Sequence, residues 1–562
     1  MISMVDTIGK IENSFIHNGF SSGHEAISIS VNSELVIQNS KINNIYSSGT
    51  ISLISNDGIL NIENTEIYNN LNITRYYNWK FNNAGSVITN SNNGRLETKN
   101  INIHDIITST VFFIKNFSKT KATNVTMSNI EIYNYGAPFT TYDTTDAILD
   151  VENVYIKNIK QYGDKHGGLL IWLESYTEVT IKNCIIENGF SAHEKSRIVY
   201  FLAPDKCKLS LINSEFRNIN LAHFLIVFDK GNYLGLDNLR FINCKSYSGI
   251  FLISNTSGEM EINNIYIDGF NKNMANMDFT TEILNVDYLD LIYGYLNIST
   301  IFFYGKNSAL KINNLTIVNS SLYTGFVTTT DIDIKITNSK IDNNLIFNSF
   351  IYLDDYIRSK YNIFNTTFNS NIGMTGVIMQ NRKSYYYDSE LHYFEQCIFK
   401  NNRAIKNGGI IFSLVDVSDS IFKDCKFINN NAEAGSVSFT KKKIYEPKFI
   451  PDIYSDPDNI LNNGLLYGGP FVTNPNRVLC NPIEPKFINS GDNINVNCSL
   501  LDEYDNKYNL LKDPETASIL DVVFFKITIE NRELSNYNKV KLKGKTHNYC
   551  AEECTLDNIS GK

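Results

Sequence analysis

Few residues in this chain of 562 are spaced for chemistry. Asp354-Asp355, followed by Arg358 and Lys360, is the paired-carboxylate cluster of its repetitive part. Two carboxylates about 5–9.5 Å apart can hydrolyse a glycosidic bond, and a metal-neutralised uronate beside a base suits elimination. The strand positions facing outward elsewhere carry scattered Asn, Ser, Thr, Lys and Glu, so this pair reads as a polar corner and no catalytic residue is assigned. Asp278, Glu282, Asp287 and Asp290 lie within 270–292, at a spacing that matches no calcium loop. His166 and His193 sit in the polar loops 161–168 and 190–197. No metal site and no cofactor are expected.

Aromatic side chains are the stronger signal. The chain has 33 Tyr and 34 Phe. Tyr76, Tyr77 and Trp79 fall in TRYYNWKFNN, and Tyr385, Tyr386 and Tyr387 in KSYYYD. Amphipathic aromatics anchor protein interfaces and stack on sugars, which makes these six the candidate binding residues. The competing reading is that they cover coil ends or pack on a flank.

The nine cysteines form two groups. Cys397 and Cys425 occupy equivalent places in adjacent repeats, close enough for a bridge or for two thiols on one ladder. Cys480, Cys498, Cys550 and Cys554 lie near the C-terminus with His547. Their spacing is not that of a zinc finger or ribbon, so two disulfides are expected there. An odd count leaves at least one thiol unpaired within the chain.

These residues are positioned by a repeat. EVTIKNCIIEN at 178–188 reads apolar-x-apolar-x-Asn-x-x-apolar-x-Asn. The first Asn recurs at Asn13, Asn39, Asn64, Asn100, Asn129, Asn153, Asn183, Asn213, Asn238, Asn264, Asn314, Asn338 and Asn365; Gln396 and Asp424 then fill the slot. Period-2 apolar residues predict a strand with one face in a core. The altered spacing after Asn predicts a corner, where Asn tolerates the left-handed region. A second strand follows in most units, as in GGLLIWL at 167–173 and GGIIFSL at 408–414. Stacked coils place like residues about 4.8 Å apart. Asn39, Asn64, Asn183, Asn213, Asn238, Asn314 and Asn338 are therefore expected to form an internal ladder of buried amides. The architecture predicted is all-β: a right-handed parallel β-helix of about fifteen coils, roughly 70 Å long, over residues 1–440.

That coil pattern resembles the pectin-lyase-like β-helix superfamily, and CIFKNNRAIKNGGIIF with CKFINNNAEAGSVSF resembles the polymorphic-outer-membrane-protein repeat. The galacturonase motifs Asn-Thr-Asp, Asp-Asp, Gly-His-Gly and Arg-Ile-Lys do not occur as a set. The texture of Asn/Ile/Tyr/Lys-rich coils, an NGLLYGGPFVTNP connector and a Cys-containing tail is similar to giant secreted surface proteins of anaerobic gut fungi, including scaffoldins. That resemblance implies a non-catalytic, cohesin-like module receiving the dockerins of cellulosomal enzymes. The alternatives are a cell-surface adhesin for plant polysaccharide and, third, a β-helix lyase or hydrolase.

Charge and punctuation complete the reading. A net charge of −9 and a pI near 5.5 argue against nucleic acid and anionic membranes as partners. No apolar run approaches the ~18 residues of a membrane helix. The chain opens in register within a coil, without a signal-like start, as a piece of a longer secreted protein would. Sequons at Asn72, Asn116, Asn124, Asn255, Asn297, Asn319 and Asn497 suit an extracellular location. Those at Asn314 and Asn365 are ladder anchors, expected to be buried and unmodified. Charge and proline at 441–485 predict a cap and linker, and the alternating strands of 486–562 a truncated immunoglobulin-like sandwich.

Overall fold

The computed structural model describes residues 2–561 except 23, 49–51, 73–84, 134–135, 142–145, 163–166, 174–176, 192–195, 203–206, 255–258, 273–299, 306–309, 329–332, 354–359, 381–391, 417–419, 453–459, 462–468, 482–490, 508–522, 527, 529–540 and 551–552. The fold is a parallel β-solenoid followed by antiparallel strands. The chain divides into two compact units. One is Met1–Phe347 with Ile357–Thr367 and His392–Phe394; the other is Asn348–Tyr356, Phe368–Leu391 and Glu395–Lys562.

Strand Thr177–Ser191 shows why the repeat folds this way. Val179 and Ile181 point inward and are buried, whereas Glu178 and Lys182 are exposed. At Asn183 the alternation breaks, because Lys182 and Asn183 are exposed in succession, and it resumes inward at Cys184 and Ile186. Asn183 has φ 55° and Asn188 φ 61°, the left-handed region in which Asn costs least. The next coil stacks in parallel with like on like: Val179 beside Leu209, Ile181 beside Leu211, Ile186 beside Phe216. Each fully buried Leu, Ile or Phe contributes about 1.5–3 kcal/mol. One core strip per coil, repeated, is what holds the solenoid.

The asparagine ladder exists, but it is on the outside. Nδ2 of Asn64 donates to Oδ1 of Asn39 (3.2 Å), Asn183 to Asn153 (2.9 Å), Asn213 to Asn183 (3.3 Å), Asn238 to Asn213 (2.9 Å) and Asn314 to Asn264 (2.7 Å), all exposed. Asn338 donates instead to Asn313 (2.9 Å). The expectation of an internal ladder is thus corrected: a corner residue in the left-handed conformation turns its side chain to solvent. Asn314 and Asn365 are likewise exposed, so burial does not guard their sequons. The anchor at Asn129 was also one slot late. Asn124 donates to Asn100 (2.9 Å), and Asn129 belongs to the parallel outer row, donating to Asp105 (2.9 Å).

A true internal ladder runs one residue beyond the second corner position, which is Ser370, Asn401 and Asn429 in these coils. Asn371, Asn402 and Asn430 are buried. Nδ2 of Asn371 donates to Oδ1 of Asn402 (3.0 Å), and that of Asn402 to Oδ1 of Asn430 (3.1 Å). Asn70 and Asn344 do the same work singly in the first unit, each accepting a backbone N–H from the preceding coil.

In the other strand row, Ile171, Val199, Ile226 and Phe251 are register neighbours in the first unit and all buried. The opposite face of those strands carries Trp172, Tyr200 and Val227, which form a separate buried cluster with Ala137 and Phe224; the Arg197 guanidinium lies over the Tyr200 ring at 4.3 Å. In the second unit Phe368, Phe399 and Phe427 stack at 5.1 and 5.3 Å. There Phe412, Phe439 and Val472 pack against Val496, Cys498, Leu500, Leu556 and Ile559, so the antiparallel sheet covers the outer face of these coils.

That sheet joins Arg477–Cys480, Ile494–Leu501, Glu553–Gly561 and Leu542–Lys543; a further antiparallel pair joins Val523–Lys526 and His547–Cys550. These strands do not by themselves define the immunoglobulin-like sandwich read from the sequence. Cys480 and Cys498 form a disulfide. The side chains of Cys550 and Cys554 lie outside the described residues. Cys397 and Cys425 remain thiols, and burial, followed by a hydrogen bond to Cys397, drives the Cys425 pKa upward.

Candidate functional site

Three successive strands, Thr177–Ser191, Lys208–Arg217 and Tyr233–Ile242, are in parallel register. Because Val179, Leu209 and Leu234 are committed to the core, their neighbours Glu178, Lys208 and Tyr233 must face outward, side by side. Two residues on, Thr180, Ser210 and Gly235 form a second outward row. Between them lies an open groove of about 570 Å³, lined by Glu178, Val179, Thr180, Lys208, Ser210, Asn232 and Tyr233. That volume falls in the range of roughly 300–1,000 Å³ usual for small-ligand sites.

The lining is a set of hydrogen-bonding groups around one aromatic ring. It offers a carboxylate, an ammonium, two hydroxyls and an amide. Glu178 and Lys208 are adjacent, yet neither forms an ion pair with a described residue. Asn232 Oδ1 is buried and accepts no hydrogen bond from a described residue, which is uncommon for a buried acceptor. The tip of the Tyr233 side chain reaches Gly235: a Cβ there would come within 2.8 Å of the Tyr233 hydroxyl oxygen. This set can hold a polyhydroxylated ligand by many weak hydrogen bonds.

Two other clusters on the solenoid surface are already self-satisfied. His104 is held by both ring nitrogens, Nε2 to Glu66 (2.9 Å) and Nδ1 to Asp105 (2.7 Å), with the Tyr68 ring stacked at 4.9 Å and Lys41 on the other oxygen of Glu66 at 2.7 Å. Burial opposes the His104 cation, but the bonds to Asp105 and Glu66 together outweigh it and raise its pKa. Lys41, then His104, lower Glu66, and His104, then Asn129, lower Asp105. With both nitrogens engaged, this imidazole is a clasp between coils and has no lone pair to offer a metal or a proton. Further along, the Tyr155 hydroxyl donates to Glu187 (2.7 Å), Arg217 holds Glu215, and Arg240 lies over the Tyr266 ring at 5.2 Å.

No family model matches the chain, and no curated protein does. Solved structures do. A double mutant of the tailspike protein of E. coli bacteriophage HK620 in complex with a pentasaccharide matches over 94% of this chain and 85% of that one, at 10% identity and TM-score 0.27. The unmutated tailspike with pentasaccharide covers 99% and 85% at TM-score 0.25, and a mutant with hexasaccharide 98% and 84% at TM-score 0.25, both at 10% identity. These matches overturn one expectation. The chain was read as non-enzymatic because no acid set was recognisable in its coils; with oligosaccharide-bound tailspikes among the structures it matches, that exclusion of catalysis is withdrawn. At this identity and TM-score the likeness assigns neither ligand nor residue to this chain.

The candidates read from the sequence lie mostly elsewhere. Tyr76, Tyr77, Trp79, Tyr385, Tyr386 and Tyr387 are outside the described residues, as are Asp354, Asp355, Arg358, His166, His193 and the acids Asp278, Glu282, Asp287 and Asp290. Among the described residues no three His, Cys, Asp or Glu side chains gather as metal ligands, and no helix is long and apolar enough to cross a membrane. The groove residues were missed. One signal could have found them: LGLDN places Gly235 in a strand interior, where glycine marks a close approach of other groups.

Proposed function

We propose that this chain is a surface module that binds polysaccharide, with the groove of Glu178, Lys208, Ser210 and Tyr233 as its contact point. The observation that carries this reading is the groove itself: the unpaired charges of Glu178 and Lys208, the hydroxyls of Thr180 and Ser210 and a half-buried tyrosine on a parallel sheet. Rigid strands suit such a site because little ordering entropy is lost on binding. The Cys480–Cys498 disulfide supports an oxidising, extracellular location. The dockerin-receiving scaffold reading rested on a resemblance in sequence texture and finds no support in the comparisons.

The test is binding of the whole chain to an array of plant and bacterial polysaccharides, with the Glu178→Gln/Lys208→Ala double variant beside it. Selective binding by the parent, weakened about tenfold or more in the variant, is the expected result. Mass spectrometry of the incubated glycans reads cleavage in the same samples. Equal binding by parent and variant, or none by either, would remove the groove from consideration.

A further inference from the structure

We infer that Cys397 and Cys425 are an oxidation site: exposed to a small-molecule disulfide, the two thiols close into a covalent staple between neighbouring coils of the second unit.

The strands that follow them, Ile398–Lys400 and Lys426–Ile428, pair in parallel with Ile398 beside Lys426, and the Lys426 N–H donates to the Cys397 carbonyl (2.9 Å). The two cysteines are therefore register neighbours. Their Cα atoms stand about 4.8 Å apart, inside the range of about 4.4–6.8 Å that a disulfide spans. Both are buried, Cys397 at 0% and Cys425 at 6% exposed, and the Cys425 thiol is hydrogen-bonded to that of Cys397.

The corner itself does not require sulfur. Its slot is the residue after the first anchor, and in several other coils a hydroxyl fills it. Ser40 donates to the Gln38 carbonyl (2.8 Å), Thr65 to Glu63 (2.9 Å), Ser339 to Thr337 (2.8 Å) and Thr366 to Phe364 (3.0 Å). Cys397 and Cys425 make the same bond at longer range and with a weaker donor, to Glu395 (3.5 Å) and Lys423 (3.4 Å). A hydroxyl serves this place better, so hydrogen bonding alone does not account for two thiols in successive coils. Giving it up on oxidation costs little at Lys423, whose carbonyl keeps the Gln396 N–H (2.9 Å). Cys184 is the contrast: it fills the same slot between Val154 and Ser214, so no thiol stands beside it.

Atoms and electrons balance with oxidised glutathione as the oxidant. Cys425, the more exposed of the two, loses its proton and attacks one sulfur of the oxidant. The S–S bond of glutathione breaks, a mixed disulfide forms on Cys425 and one glutathione thiolate leaves. Cys397, deprotonated in turn, attacks the Cys425 sulfur and expels the second glutathione. Two electrons pass to the oxidant, and the two thiol protons end on the two released glutathione molecules. Burial, and after it the bond to Cys397, hold the Cys425 thiol protonated, so the first attack waits for the corner to open.

The experiment starts from the full chain in its dithiol form, held with oxidised glutathione in buffer and, in a second sample, in urea just below the unfolding midpoint, where the corner opens. Acid quenching, alkylation of the remaining thiols and digestion without reductant then give the pairing by mass spectrometry. A peptide linked through Cys397 and Cys425 is expected in both samples, sooner in urea, with Cys184 alkylated. The oxidised parent should unfold at a higher urea concentration, its unfolding equilibrium constant lowered about a hundredfold. Cys425→Ser keeps the hydroxyl-to-carbonyl bond of the other coils, so it should match the reduced parent and show no such rise after the same treatment. The inference is overturned by the absence of a 397–425 link from both samples, by a link of either cysteine to Cys184, Cys207 or Cys244 instead, or by glutathione left on Cys425 without closure. A link that leaves the urea midpoint unchanged, or an equal rise in the serine variant, overturns it as well.

Discussion

Replacing Asn402 by Ala should open the internal ladder, and the cost can be worked from the structure. Asn402 is buried. Its Oδ1 accepts the backbone N–H of Asn371 (3.1 Å) and Nδ2 of Asn371 (3.0 Å). Its Nδ2 donates to the Phe368 carbonyl (2.8 Å) and to Oδ1 of Asn430 (3.1 Å). Four bonds vanish with the amide, and the Asn371 N–H and Phe368 carbonyl lose partners that water cannot reach. At about 1 kcal/mol per bond, more for an orphaned buried group, the loss is about 3–5 kcal/mol. The outer ladder offers an internal control. Asn213→Ala removes bonds that water can replace and forces Ala into the left-handed region, costing about 1–2 kcal/mol. Hydrogen–deuterium exchange separates the two, since each 1.4 kcal/mol of local opening is tenfold in rate. The Asn371 amide should exchange about a hundredfold faster or more in the Asn402 variant, and amides around Asn213 roughly tenfold faster in its variant. Equal effects, or a larger one at Asn213, would mean that the outer row and not the inner one secures the coils.

Three further perturbations follow. His104→Gln should remove a pH-dependent share of stability: the raised His104 pKa stabilises fully below its ordinary 6.5 and fades as pH climbs through the raised value, while lowered Glu66 and Asp105 fade only as pH falls below 4.5 and 3.8. The parent's melting temperature should therefore drop between pH 6 and pH 9 (about these limits) relative to the variant's, and parallel curves would refute the clasp. Asp502→Ala strips a buried carboxylate that accepts N–H groups of Tyr504 (2.9 Å), Asn506 (2.8 Å) and Thr473 (3.1 Å), for an expected loss of about 3–5 kcal/mol read from the urea midpoint. Cys480→Ser opens a link spanning 18 residues, worth about 3 kcal/mol by loop entropy, and reductant should shift the parent's urea midpoint equally.

The solenoid was legible because its signal is local and repeated. Val179, Ile181 and Ile186 announce their faces within one coil, and fifteen copies of the motif average out any single error. Whether a corner side chain points in or out is not written in the same pattern. Asn39 and Asn64 turn outward, whereas Asn402 and Asn430, each directly behind another Asn, turn inward. The doublets at Asn69-Asn70, Asn343-Asn344, Asn401-Asn402 and Asn429-Asn430 were the available clue. The slip to Asn129 has a similar origin, since each coil carries two Asn five residues apart and either satisfies the eye. The groove was illegible for a different reason. Glu178, Lys208 and Tyr233 become neighbours only when three coils of unequal length are stacked in register.

The contrast between this groove and the rest of the described surface argues for its use. On stacked coils an outward charge has a neighbour about 4.8 Å away in each direction, so opposite charges pair readily. Lys41 takes Glu66, Lys99 takes Glu63 and Lys423 takes Glu395. Glu178 and Lys208 stand as close in register as any of these, and they form no such pair with a described residue. Both charges keep their hydrogen-bonding capacity beside a tyrosine ring that a glycine has made room for. A surface selected only for solubility has no reason to combine those two features at one point of the lattice. A surface that grips a hydroxyl-rich chain does, because a ligand hydroxyl can bridge the carboxylate and the ammonium.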